Sequence, residues 1–168
     1  AQKGFDGTAL TAKTVTETKF NKDTGEGFVP LDDLNLIYDF TGSQTAVGAS
    51  ENTFTYKVDN ALNDTKLSNY DVQTEYGLLQ VLPTLNIQKT TSQWEPLSGG
   101  QFTISRWNEG GQNWEALEGV GELTITSSDG VTIPIGLTEG QYRIQETAAP
   151  DGYVVLEEAI YFNIAKET

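Results

Sequence analysis

The chain has 168 residues and a formal net charge of −14, is 37% apolar and 10% aromatic, and contains no cysteine, methionine or histidine. That composition excludes disulfides, zinc sites of the usual ligands, haem and Cys or His nucleophile chemistry, and the charge makes nucleic acid and anionic membrane surfaces poor partners. The apolar fraction supports a packed core and no apolar run reaches transmembrane length, while the missing initiator methionine and signal segment suggest a piece excised from a longer protein.

No window carries sustained helical periodicity. Short alternating runs broken by Gly, Asn, Asp and Pro predict an all-β protein of sandwich or barrel type. Early in the chain, "NKDTGEGFVPLD" sets oxygen-bearing side chains at Asn21, Asp23 and Asp32. The spacing echoes a calcium loop. Gly25 stands at a ligand position, however, and Asp32 replaces the bidentate glutamate, so a polar hairpin loop is expected and calcium is the lesser alternative. Leu34, Leu36, Tyr38 and Phe40 then alternate, and "TGSQTAVGAS" breaks the pattern. Phe54, Tyr56 and Val58 alternate next, residues 60–69 form a polar turn region, and 70–74 and 77–82 are two more candidate strands. Tyr38, Phe40, Phe54 and Tyr56 are the expected core of this half.

Pro83 separates that set from a second one opening with "LNIQK", and the domain boundary is placed there, giving domains 1–83 and 84–168. Residues 1–83 carry 12 acidic and 6 basic groups and residues 84–168 carry 12 and 4, so neither half is a charged tail on a neutral domain. In the second half "QFTISRW", "NWEAL", "VTIPI", "QYRIQET" and "AIYFNIA" read as strands punctuated by turn signals. Pro134 and the frequent glycines argue against a parallel sheet.

Two charged residues sit on apolar faces. The period of two puts Glu146 with Tyr142 and Ile144, and Lys89 with Leu85 and Ile87. A carboxylate pointing into a core costs several kcal/mol unless it is compensated. On pattern alone this is a snorkelling lysine or a buried Lys89–Glu146 salt bridge.

"YRIQETAAPDGY" resembles the glutamate box of collagen-adhesin B-type domains, also called SpaA-like domains, of Gram-positive surface proteins and pilins. The ordered context is present: "LNIQKT" resembles the strand with the reactive lysine, "PLSGGQFTI" the next turn and strand, and "GLTEGQYRIQETAAPDGYVV" with "AIYFNI" the penultimate region. The one departure in the box is Ile144, where leucine is common. The resemblance implies a spontaneous isopeptide bond, with Lys89 as nucleophile and Glu146 polarising the acceptor carbonyl and shuttling protons. Burial disfavours charge on amine and carboxyl alike, which suits a neutral amine attacking a carboxamide. The fold holds the groups at near-attack distance. This is single-turnover self-modification, not enzyme catalysis, and it calls for no cofactor.

In the family the acceptor Asn or Asp lies on a final strand after the run that "AIYFNIA" resembles. That strand is expected to be absent here, with the acceptor beyond Thr168 or on a β-strand supplied in trans, as in split tag-and-catcher versions of these domains. Asn163 is the alternative acceptor, although its parity is opposite to Ile160, Phe162 and Ile164. Residues 3–82 resemble, less specifically, a bacterial Ig-like surface repeat, through "KGFDGTAL", "DFTGSQTAVGASENTFTYKV" and "NYDVQTEYGLLQVLP". The expectation is two tandem Ig-like β-sandwich domains forming a stalk of an extracellular, cell-wall-associated adhesin or pilus-like protein, with neighbouring domains as partners and no membrane insertion. The alternative is an adhesin module binding a host glycan or protein through Trp94, Trp107 and Trp114.

Overall fold

The computed structural model describes residues 1–29, 35–59 and 67–165. Asp32, Leu34 and Lys166 lie outside the described residues, as does most of the polar stretch at 60–69. The protein is all-β, and among the described residues a short 3-10 turn lies at Leu67–Asn69. It divides into two compact units, Ala1–Gln2 with Gly7–Gln80 and Lys3–Asp6 with Val81–Thr168. That residues 3–6 go with the second unit is not anticipated by a boundary at Pro83.

In the first unit, β2 (Leu36–Phe40) and β4 (Phe54–Val58) pair antiparallel, with Tyr38 opposite Tyr56 and Phe40 opposite Phe54. The alternation places these rings on one face, where they form edge contacts: Tyr38 to Phe54 at 5.6 Å and Phe54 to Tyr76 at 5.4 Å. The Tyr38 hydroxyl donates to Glu17 Oε1 at 2.6 Å. A strand the pattern did not suggest, β3 (Gly48–Glu51), lies within "TGSQTAVGAS", in a three-stranded sheet of order β1 (Gln2–Gly4), β5 (Leu78–Leu82), β3. Conversely, residues 70–74 form no strand. The Tyr70 ring instead packs edge-on against Phe28 at 5.1 Å, so its side chain reads as core while its backbone is irregular.

The second unit is built on an antiparallel sheet of order β10 (Asn113–Ala116), β9 (Gln101–Asn108), β13 (Gly140–Ala148), β14 (Ile160–Ile164), with β11 (Leu123–Thr124) pairing β9 beyond β10. Its inner face contributes Phe102, Ile104, Leu123, Tyr142 and Ile144 to a core that also holds Ile87, Ile125, Ile133 and Leu137. Each such side chain, fully buried, stabilises by about 1.5–3 kcal/mol. "LNIQK" is not one strand. It divides into β6 (Asn86–Ile87), which pairs β12 (Val131–Thr132), and β7 (Lys89–Thr90), which pairs β8 (Pro96–Leu97). Pro134 ends "VTIPI" after β12, since proline has no N–H to offer a ladder. The Tyr142 hydroxyl donates to Thr138 O at 2.7 Å, a tyrosine corner that sets where β13 begins.

Candidate functional site

Strand β13 buries Tyr142, Ile144 and Glu146 while Gln141 and Thr147 are exposed, as alternation requires. The register against β9 puts Ile144 opposite Ile104 and Glu146 opposite Phe102, then slips by one residue between Glu146 and Ala148. That bulge ends regular pairing just past the glutamate and turns Thr147 outward, where its hydroxyl donates to Glu122 at 2.7 Å. The chain then reverses through a turn in which Tyr153 N donates to Pro150 O at 3.0 Å, with Gly152 at φ 83°. Only glycine takes that conformation without strain.

Lys89 enters from β7. Its hairpin is closed by Thr91, whose hydroxyl accepts the N–H groups of Gln93 and Glu95, each at 3.2 Å. The Lys89 ammonium nitrogen lies 2.5 Å from Glu146 Oε1. The Glu146 side chain is 1% exposed and that of Lys89 12%. The second carboxylate oxygen, Oε2, accepts the Leu156 N–H at 2.7 Å. Both oxygens are therefore satisfied, and the negative charge has a cation against it, which is what allows a carboxylate to sit in this core. Gly100 leaves the space for it: a Cβ there would come within 3.2 Å of the Phe102 ring and 3.5 Å of Glu146 Oε1.

The remaining candidates fall elsewhere. Asn163 faces away from the pair: it sits opposite Gln141 on the outer side of the sheet and is exposed, whereas Phe162, opposite Tyr142, points inward. In the early hairpin, Asn21 Oδ1 accepts the Asp23 N–H at 3.0 Å, so this oxygen shapes the turn. Among the described residues, no three carboxylates are placed to hold a metal ion. Trp107 and Trp114 pack edge to face at 5.3 Å on the outer sheet surface, with the Arg143 guanidinium 5.2 Å from the Trp114 ring and Tyr161 beyond it at 5.5 Å. They therefore cover the sheet. Trp94 alone of the three stands out, 84% exposed, at φ 66° in the loop between β7 and β8.

Sequence reasoning missed Gly100, Gln145 and the Leu156 N–H. The last is a backbone donor, and no side-chain identity signals it. Gln145 Nε2 donates to Leu156 O at 3.2 Å, so consecutive residues of β13 hold the N–H and the C=O of one residue.

No curated protein matches the chain. Among solved structures, the crystal structure of the group B streptococcus pilus 2b backbone protein is 24% identical, with a TM-score of 0.40 over 66% of this chain and 40% of that one. The chain thus spans less than half of that protein's length. The family model for the SpaA prealbumin-like fold domain matches residues 83–168, the stretch that contains Lys89, Glu146 and the strands holding them. That match extends over half of the sequence, and the chain belongs to the SpaA prealbumin-like fold family.

Proposed function

We propose that this chain is a structural segment of an extracellular, cell-wall-associated adhesin or pilus-like protein, and that its second unit is built to form a Lys–Asn/Asp isopeptide bond. The observation that carries the reading is the buried Lys89–Glu146 pair, 2.5 Å apart, in a SpaA-family unit. Lys89 is the nucleophile and Glu146 the proton carrier, used once per molecule rather than in turnover. The outward position of Asn163 favours an acceptor on another strand, either later in the full protein or supplied in trans. The first unit is proposed as an Ig-like stalk repeat, carrying no chemistry of its own.

The physical benefit is a covalent tie insensitive to redox conditions. Closing a long loop this way lowers unfolded-state entropy by about 3–5 kcal/mol equivalent. The test is an intact mass. Residues 1–168 alone should weigh what the sequence predicts. A longer natural chain should weigh one ammonia (for Asn) or one water (for Asp) less than its sequence predicts, this chain mixed with a β-strand peptide bearing Asn or Asp should gain the peptide's mass less the same group, and Lys89→Ala should abolish both changes. Failure of every such acceptor to join Lys89 would overturn the reading.

A second reading, recognition of a host ligand, rests on Trp94, an exposed aromatic in a left-handed conformation. Binding of a host glycan or protein that is lost in Trp94→Ala would favour it.

A further inference from the structure

The isopeptide reading assigns Glu146 a proton to carry but does not say on which oxygen. The two oxygens are not equivalent. Oε1 faces Lys89 Nζ at 2.5 Å, and Oε2 accepts the Leu156 N–H at 2.7 Å. A backbone N–H can only donate. A proton placed on Oε2 would have to compete with that donor or displace it, leaving a buried N–H without a partner at about 1–3 kcal/mol. A proton that Oε1 takes from Nζ leaves an amine whose lone pair can accept it in return, so neither group loses its partner.

The Leu156 peptide is itself held. It lies outside the regular ladder, because β14 begins at Ile160 and pairs β13 only from Gly140 to Ile144. Opposite residues 145–148, side chains substitute for backbone pairing. Gln145 Nε2 donates to Leu156 O at 3.2 Å and reaches Glu157 O at 3.4 Å. The Leu156 side chain is half exposed and takes no part in the core cluster, so the peptide group rather than the apolar side chain is what this position supplies.

We propose that Gln145 and the Leu156 peptide form a positioning device, confining the transferable proton of Glu146 to Oε1. This rests on the isopeptide reading. In the bond-forming step, the Lys89 Nζ–C bond forms and the acceptor's C–N bond breaks for Asn (C–O for Asp). The Lys89 ammonium first gives one proton to Glu146 Oε1 and attacks as a neutral amine; that proton passes from Oε1 to the departing group, which leaves as ammonia or water, and Oε1 takes up the second proton that Nζ sheds as it becomes an amide nitrogen. The ion pair is thereby replaced by an amide and a neutral Glu146 carboxyl. With these transfers on one oxygen, the carboxyl need not rotate between them. Gln145 is a positioning residue: it reaches the Glu146 carboxyl through Leu156, and its one direct bond to Glu146, at 3.4 Å, goes to the backbone carbonyl.

The test is NMR on residues 1–168, with no acceptor needed. The Leu156 amide should exchange slowly, and Glu146→Leu in the Lys89→Met background, which removes its acceptor without stranding a charge, should speed that exchange at least tenfold. Gln145→Leu should speed Leu156 amide exchange at least tenfold while leaving the β9–β13 ladder amides unchanged. Gln145→Lys, which keeps a donor, should restore most of the protection. A Leu156 amide whose exchange is unaltered by the loss of the Glu146 carboxyl, or in Gln145→Leu, would overturn the proposal. The two ideas fail separately. If no acceptor joins Lys89 but both substitutions speed Leu156 exchange, the bond-forming reading falls and the clamp remains. If an Asn-bearing strand joins Gln145→Leu at the wild-type rate, the positioning role falls and the bond-forming reading remains.

Discussion

Removing one partner of a buried ion pair leaves the other charge stranded, and without Lys89 the stranded charge is that of Glu146, whose side chain is 1% exposed. Lys89→Met should therefore cost about 3–5 kcal/mol of unfolding free energy. Adding Glu146→Gln to that background should recover at least about 2 kcal/mol, since the glutamine oxygen still accepts the Leu156 N–H and the stranded charge is gone. Urea titrations of both variants in the unjoined protein measure the difference. Tyr38 makes a second prediction at this scale. Burial, with the hydrogen bond and charge of Glu17 behind it, pushes its phenol above the ordinary tyrosine range. A folded value raised above the unfolded one gives stabilisation that is complete below about pH 10 and lost as pH climbs past it. Urea midpoints should hold to about pH 10 and fall above it, and the fall should be smaller in Glu17→Gln.

Among the elements, the β7–β8 hairpin and the β6–β12 pair bring Lys89 into place, and each depends on a residue in the left-handed region. Gly130, at φ 81°, precedes β12, and a Cβ there would penetrate the Ile87 carbonyl on β6. Gly130→Ala thus combines backbone strain with a backbone clash and should cost more than about 2 kcal/mol, loosening β6 just ahead of Lys89. Trp94 is the opposite case. It pays for a left-handed φ without burying its ring. Relief of about 1–2 kcal/mol of strain exceeds the roughly 0.5–1 kcal/mol entropic cost of a glycine. Trp94→Gly should therefore raise stability by about 0.5 kcal/mol in thermal melts.

For the whole molecule, the two units should respond differently to the covalent tie. Joining Lys89 to an acceptor constrains only the second unit's unfolded chain. Calorimetry should show that unit's transition stabilised by about 3–5 kcal/mol, with the transition of residues 7–80 unmoved. Equal shifts in both would mean that the units do not unfold as separate bodies.

By itself, the sequence determined the all-β class and the faces of the long strands, and it put Lys89 and Glu146 each on an apolar face without joining them. Alternation is a local rule: with a period of two, Tyr142, Ile144 and Glu146 share a face wherever the strand packs. It also determined that Asn163 looks the other way from Phe162. The tertiary structure decided what depends on partners distant in the chain. "LNIQK" splits because its two ends pair with different strands, and β3 forms in a Gly- and Ser-containing stretch because β5 lies beside it. Residues 70–74 alternate yet find no ladder. The proton-bearing side of Glu146 was beyond the reach of any pattern, because it is decided by a backbone N–H ten residues away, and every non-proline residue carries the same one.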